Sequence, residues 1–217
     1  MESPISYIKC FPFFNFIVYE AKMKKKSDPV ALFAELYEKI LQSGALEEPS
    51  AMTLATATPD GKPSARVVLL KGYDEHGFVF YTNLESRKAA ELKINPQAAL
   101  CFYWEPIHYQ VRIEGSVLQV PEEEADAYFA TRPRGSQIGA WASSQSSQLK
   151  DRTELETRFR ETEQKFEGET IPRPGFWSGF RLAPQRFEFW ERRENRLHER
   201  FLYVRKNARW EMSLLYP

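Results

Sequence analysis

Three groups of cationic and hydrogen-bonding side chains have the composition of seats for an anion. In the first, Arg196, His198 and Arg200 alternate along a stretch that reads as extended, so they share one face, and Leu202 and Val204 continue that face into apolar sequence. Cationic groups converging where a barrel opens would suit an anionic, planar ligand. The alternative is a solvated edge strand whose charges answer Glu191, Glu194 and Glu199. The second group joins Arg66 and Lys71 to Arg87 and Lys88, which open a helix after Asn83. Basic residues at a helix N-terminus oppose its dipole, and a bound phosphate would reconcile the two. Ser86 as a plain N-cap with two exposed basic neighbours is the competing reading. The third is the stretch Arg132-Pro133-Arg134-Gly135-Ser136-Gln137, running on to Trp141 and Gln145-Ser146-Ser147, either a phosphate cradle or simply a loop.

Other chemistries lack their residues. His76, His108 and His198 are scattered without metal spacing, and no GxSxG elbow, GxGxxG turn or P-loop occurs. Phosphate-type donors, abundant aromatics and no nucleophile favour an enzyme whose chemistry belongs to a bound cofactor. Lys+Arg and Asp+Glu both total 30, so no basic excess draws the chain to nucleic acid. The apolar run Phe11–Tyr19 is interrupted by Pro12 and Asn15 and falls short of the ~20 residues of a membrane helix. The lysines Lys24–Lys26 follow that run instead of preceding it, which is not a signal-peptide order. Cys10 and Cys101 lie far apart, so a reduced thiol and a cytoplasmic location are expected.

The elements that must position these groups are short. Ser27-Asp28-Pro29 caps a helix with a stripe of Phe33, Leu36, Tyr37, Ile40 and Leu41, ended by Gly44. Period-two segments follow at 51–58, 64–72 and 78–83, separated by turns at Pro59-Asp60-Gly61 and Glu75-His76-Gly77. A short helix over 86–94 stops at Asn95-Pro96, and strands follow at 98–104 and 109–120. Pro121 and Glu122-Glu123-Glu124 open a helix that ends before Pro133, 134–150 reads as a loop, and 151–167 is an amphipathic helix carrying Leu155, Phe159 and Phe166. Strands at 176–182, 185–191, 198–206 and 210–215 close the chain. This predicts a mainly β fold with helices, a closed or nearly closed antiparallel barrel in one domain. Because Met23 precedes the lysine cluster and the capped helix, residues 1–22 are expected to be an extension upstream of the start, and 1–27 to be poorly ordered.

Taken together, the strings Arg66-Val67-Val68-Leu69-Leu70-Lys71, Phe80-Tyr81-Thr82-Asn83 with Ser86-Arg87-Lys88-Ala89, Arg132 through Trp141, Gln145-Ser146-Ser147, Phe189-Trp190 and Arg196-Leu197-His198 through Tyr203 resemble the signature set of the pyridoxamine 5′-phosphate oxidase family. They fall in the family's order over 28–217. The resemblance implies a Greek-key split β-barrel and a homodimer with two flavin mononucleotide (FMN) sites between subunits. It implies that FMN is held by the run Arg66–Lys71 with Tyr81, Thr82, Arg87, Lys88 and Gln110 from one subunit, and by Gln145, Ser146, Trp190 and Arg200 from the other. Lys71, Tyr128, Arg132 and Ser136 would hold a substrate phosphate, with Arg196, Leu197 and His198 over its pyridine ring. The implied reaction oxidises pyridoxine or pyridoxamine 5′-phosphate to pyridoxal 5′-phosphate with O2, releasing hydrogen peroxide, and Arg196 and His198 would orient the substrate and assist proton removal.

Arg66 and Lys71 are five apart, so a regular strand would send them to opposite faces; a bulge or a ligand wrapped around the strand end would resolve this. The family's Arg- and Tyr-containing segment before the first helix is replaced here by Phe-rich sequence and Lys24–Lys26, so no lid is expected from 1–27. A sister flavoprotein such as a phenazine-pathway oxidase would keep the FMN residues and change the substrate set. A non-catalytic flavin or pyridoxal-phosphate carrier would need only one of the two sets.

Overall fold

The computed structural model describes residues 27–217; the expectations about the apolar run, the lysine cluster and an upstream extension lie outside these. Helix α1 (Pro29–Ser43) begins where Asp28 accepts a hydrogen bond from the Val30 N–H at 2.9 Å, and ends at Gly44, whose φ of 60° only glycine adopts without strain. Its buried stripe is Leu32, Phe33, Leu36 and Ile40; Leu41 is 45% exposed, and Leu32 takes the place expected for it. Phe33 plugs the end of the barrel, its ring 5.1, 4.9, 5.2 and 5.6 Å from those of Tyr73, Phe78, Phe102 and Trp104.

The strands are β1 (Ala51–Ala57), β2 (Pro63–Leu69), β3 (Gly72–Asp74), β4 (Gly77–Asn83), β5 (Gln97–Trp104), β6 (Tyr109–Gln119), β7 (Trp177–Glu191), β8 (Glu199–Lys206) and β9 (Arg209–Leu214). All pair antiparallel, in the order β2-β1-β5-β6-β7-β4-β3, with β8 on β7 and β9 on β8. β2 and β3 end opposite sides of that path, yet only Leu70 and Lys71 separate them in the chain. Two residues cannot reach across an open seven-strand path, so the sheet must curl until its ends meet. The Lys71 N–H donating to Val79 O at 2.9 Å marks the seam, and the expected split barrel is the result.

Helix α2 (Arg87–Ile94) packs Ala89 and Leu92 into the main core, while α3 (Glu122–Thr131), α4 (Arg134–Ala142) and α5 (Arg152–Lys165) surround a second core of Phe129, Ile138, Phe166, Ile171 and Trp177. Among the described residues no helix is long and apolar enough to cross a membrane.

The structure corrects several sequence expectations. The stretch read as a loop over 134–150 contains α4, because burial of Ile138 and Ala142 and a 2.9 Å bond from the Gln137 side chain to Phe129 O outweigh its poor helix composition. The segment 64–72 is not one strand: β2 stops at Leu69, so Lys71 escapes the alternation that opposed it to Arg66. The two strands expected at 176–182 and 185–191 are one, β7, which carries Pro184 through a bulge opposite Gly115. The extended face of Arg196, His198 and Arg200 is broken, since Arg196 lies in a 3₁₀ turn at φ 61° and the strand starts at Glu199. The core face of β8 is Phe201 and Tyr203, whereas Leu202 and Val204 share the outer face with Arg200.

The bulge gives a strong prediction. A Cβ on Gly115 would lie 2.0 Å from Ala183 O, a backbone atom that cannot step aside. Gly115→Ala is therefore expected to cost about 3 kcal/mol or more of stability, read as a fall in the urea midpoint of the FMN-free protein.

Candidate functional site

α2 carries the most heavily buried cation of the candidate set. Its N-cap, Ser86, is buried but makes no side-chain capping bond, so its hydroxyl is free to face Lys88. Lys88 is 8% exposed, with its Nζ donating to Thr82 Oγ1 at 3.0 Å, Ser86 Oγ at 3.2 Å and Gln145 Oε1 at 2.7 Å. Burial, assisted by the nearby Arg66 guanidinium, pushes its pKa down to about 8. A lysine beside another cation, with neutral partners only, is a site short of negative charge.

Arg66 points to the inner side of β2, donating to Thr56 Oγ1 and Ser64 Oγ at 2.5 Å each and to Leu54 O at 3.3 Å. Beneath it sits Glu91, a residue the sequence reading did not single out. Its carboxylate accepts from Thr56 at 2.5 Å, Ser64 at 2.6 Å and Arg87 Nε at 2.9 Å, and lies 3.4 Å from Arg66. Burial alone would raise its pKa, but the bonds from Ser64, Thr56 and Arg87 overcome this and hold it at about 2. A carboxyl depressed below its ordinary value contributes stability above about pH 4.5 that is lost as pH falls toward 2. Glu91→Gln is expected to cost on the order of 3 kcal/mol at pH 7 and to flatten the acid limb of the stability profile, measured by urea unfolding between pH 2 and 7.

A second cationic place lies where α3 gives way to α4. Arg132 takes an extended conformation before Pro133, which ends the helix, and its guanidinium stacks 4.7 Å from the Trp177 ring centroid and 5.5 Å from that of Phe129. Burial lowers its pKa, with the Tyr128 hydroxyl acting the other way, and its buried Nη1 has no hydrogen-bond partner. An arginine nitrogen buried with nothing to donate to is what a missing phosphate oxygen would leave behind. Beside it Tyr81 stacks on Tyr128 at 3.9 Å and on Trp177 at 5.3 Å, and burial pushes the Tyr81 hydroxyl up to about 12. Gly179 makes room for this shelf: a Cβ there would meet the Tyr81 ring at 2.7 Å. Ser136 is exposed in the first turn of α4, and Lys71 is exposed at the barrel seam. Trp177 and Gly179, like Glu91, escaped sequence reasoning because an aromatic and a glycine in a strand carry no chemical signal of their own.

The third place is the outer face at the far end of β7. Gln110, Trp190 and Arg200 are direct cross-strand partners on β6, β7 and β8. Glu188, 3% exposed, takes both Nε and Nη2 of Arg200 at 2.8 Å and Nη1 of Arg112 at 3.2 Å. His198 packs against Trp190, ring centroids 4.5 Å apart, while Leu197 is 68% exposed. Val67 and Tyr103, 66% and 56% exposed, add apolar surface on this side of the sheet. A groove of about 890 Å³ is lined by Ala55, Thr56, Arg112, Glu114 and Arg186.

The structure thus brings Arg66, Thr82, Arg87, Lys88 and Gln145 together, and groups Tyr81, Tyr128 and Arg132 around Trp177. Within the chain Gln145 bonds Lys88, and Gln110 lies across from Trp190, itself paired with Arg200. β7 separates the groups, since Ser178 faces Thr82 and the strand then runs on to Trp190, a contour on the order of 40 Å at about 3.3 Å per residue. Val68 and Leu70 turn inward, Leu70 being buried in the main core. Ser146 takes a left-handed φ of 72° in the turn after Gln145. Among the described residues no cluster of His, Cys, Asp and Glu could hold a metal.

Residues 41–166 match the family profile described as pyridoxamine 5′-phosphate oxidase, and residues 177–217 match that of the pyridoxine 5′-phosphate oxidase C-terminal dimerisation region. Curated proteins named pyridoxine/pyridoxamine 5′-phosphate oxidase are 57% identical in Rubrobacter xylanophilus, over 88% of this chain and 87% of that one, and 56% identical in Myxococcus xanthus, over 88% and 92%. Among solved structures, PhzG from Burkholderia lata 383, in complex with tetrahydrophenazine-1-carboxylic acid, superimposes with a TM-score of 0.85 at 32% identity, covering 93% of this chain and 98% of that one. A pyridoxamine 5′-phosphate oxidase-related, FMN-binding protein from Nostoc punctiforme shares the fold at a TM-score of 0.69 and 19% identity, over 89% of this chain and 100% of that one. Matched over most of its length in both sequence and fold, the chain belongs to the pyridoxamine 5′-phosphate oxidase family.

Proposed function

We propose that this protein oxidises pyridoxine 5′-phosphate, or pyridoxamine 5′-phosphate with uptake of water and loss of ammonia, to pyridoxal 5′-phosphate with O2, releasing hydrogen peroxide, as an FMN-dependent cytoplasmic homodimer. The observation that carries this reading is the pair of anion-seeking places in one chain: buried Lys88 beside Arg66, and Arg132 with its unpartnered Nη1. Two phosphates, one on the cofactor and one on the substrate, supply what each place lacks. The residues present fit FMN on this ground: Arg66, Thr82, Arg87, Lys88 and Gln145 would hold its phosphate, and the segment Val67–Lys71 would contribute to the same site.

A flavin held there would supply the acceptor for the hydride from C4′ of the substrate, with O2 as the final oxidant. The protein's part is to bind and orient. Lys71, Tyr128, Arg132 and Ser136 fix the substrate phosphate, and the Tyr81–Tyr128–Trp177 shelf limits access of water to it. The groups at the far end of β7, namely Trp190, Arg196, Leu197, His198 and Arg200, complete the site from the second subunit. The length of β7 and the match to a dimerisation region over 177–217 support that division.

The test is to add FMN to the purified protein and follow O2 uptake and pyridoxal phosphate absorbance. A yellow dimer that consumes O2 only with pyridoxine or pyridoxamine 5′-phosphate carries the reading; a colourless monomer in excess FMN sinks it. A phenazine-type oxidase is the second reading, favoured by the likeness to PhzG, and turnover of a dihydrophenazine carboxylate but not of pyridine phosphates would select it.

A further inference from the structure

The loop joining β7 to β8 is fastened at named atoms. The Arg192 N–H donates to His108 O at 2.9 Å, the Leu197 N–H to Glu194 O at 3.0 Å, and the Arg193 N–H to Nδ1 of His198 at 3.1 Å. The Arg193 guanidinium lies 3.1 Å from Glu191 and 3.3 Å from Glu199, the two residues that face each other at the end of the β7–β8 ladder. Glu191 is 7% exposed, and burial raises its pKa against the opposing bond from Tyr109 and the charge of Arg193. Between these ties Asn195 and Arg196 both adopt left-handed φ angles, 53° and 61°, which side chains other than glycine seldom take unless their surroundings impose them. Arg193 is therefore the clasp of a strained loop.

The bond to His198 has a chemical consequence. A ring nitrogen that accepts a hydrogen bond from a backbone N–H presents a lone pair, so the single proton of the neutral imidazole must sit on Nε2. The ring cannot turn over without facing a C–H to the Arg193 N–H and leaving that donor unsatisfied. Contact with Trp190 on one side restricts the ring further.

We infer that His198 acts as a neutral hydrogen-bond donor through Nε2 and not as a base there, and that Arg193 is the positioning residue that fixes this tautomer and holds the loop closed. This rests on the site reading above, in which His198 lies over the pyridine ring; the acceptor would be an electron-rich atom of the substrate, such as the ring oxygen of a 3-hydroxypyridine. Taking up a proton at Nε2 would first require its own proton to leave, so the role of assisting proton removal does not fall to this atom.

The experiment uses the FMN-loaded dimer with ¹⁵N-labelled histidine. The chain has 3 histidines, and loss of one set of signals in His198→Gln assigns the residue. The expected spectrum at neutral pH shows Nε2 protonated and Nδ1 bare; an Nδ1–H tautomer, or an even mixture, overturns the inference. Kinetics give a second readout. His198→Gln places an amide N–H near the position of Nε2 and should keep kcat/KM within about 10-fold, whereas His198→Ala should lose about 100-fold. Equal losses in both variants would mark a base and refute the donor role. Arg193→Ala keeps the backbone N–H but opens the clasp: KM for the pyridine phosphate should rise about 10-fold with kcat within about 2-fold, and Arg193→Lys should recover part of it. An unchanged KM in Arg193→Ala would end the positioning role. If the parent protein turns over no pyridine phosphate, the proposed function fails, and the tautomer measurement still decides this inference by itself.

Discussion

Arg132→Ala should lower kcat/KM for pyridoxine 5′-phosphate by about 100- to 1,000-fold, mainly through KM, while FMN affinity stays within about 2-fold. Truncating one side of a buried, charge-assisted contact to phosphate costs about 2–5 kcal/mol, and each 1.4 kcal/mol is tenfold. The same change should hardly affect the melting temperature of the substrate-free protein. Nη1 has no partner to lose, so the lost stacking on Trp177 is offset by relief of an unsatisfied buried donor. Kinetics and calorimetry on one preparation check both halves. A melting temperature lower by 10 °C or more, with activity lost to match, would make Arg132 a structural residue and remove the substrate phosphate from this place.

Lys88→Met should weaken FMN binding by about 100-fold or more and leave riboflavin binding within about 3-fold, because only FMN carries the phosphate that the ammonium meets. Quenching of flavin fluorescence measures both. The pH dependence has a definite sign. With its pKa pushed down to about 8 in the free protein, Lys88 is charged below that pH and neutral above it, so FMN affinity falls as pH rises through 8. Stability moves the other way. The unfolded lysine, near 10.5, binds the proton that the folded one has released, so this residue's contribution to stability rises with pH between about 8 and 10.5, by on the order of 3 kcal/mol across the window. Urea unfolding of the FMN-free protein at pH 8 and 9.5 should show that rise, and Lys88→Met should lack it. Equal slopes in the two proteins would mean that the ammonium is solvated and not buried in the site.

Both predictions concern residues whose type was visible in the sequence but whose surroundings were not. The capped start of α1, the period-two strands, the hairpin turns and the stop before Pro133 could all be read locally, because each depends on the φ preferences of a few neighbouring residues. The errors came where tertiary contacts outweighed local preference. Residues 176–182 and 185–191 read as two strands, yet a bulge opposite Gly115 lets β7 run on through Pro184. α4 read as a loop until Ile138 and Ala142 found a core to bury in. On β8 the sequence carried Leu202 and Val204 into apolar territory, whereas packing of Phe201 and Tyr203 against Phe187 and Phe189 made theirs the inner face.

By itself the sequence determined the local elements and the supply of cationic, amide and aromatic side chains that an anionic planar ligand needs. Only the tertiary structure decided which of them meet. Thr82 and Gln145 touch across 63 residues of chain, and Glu91 reaches Ser64 across 27, because the barrel closes between β2 and β4 with α2 lying over the seam. Such pairings have no local signature: a side chain's spacing fixes the face it occupies, whereas the partner on that face depends on how the whole sheet curls.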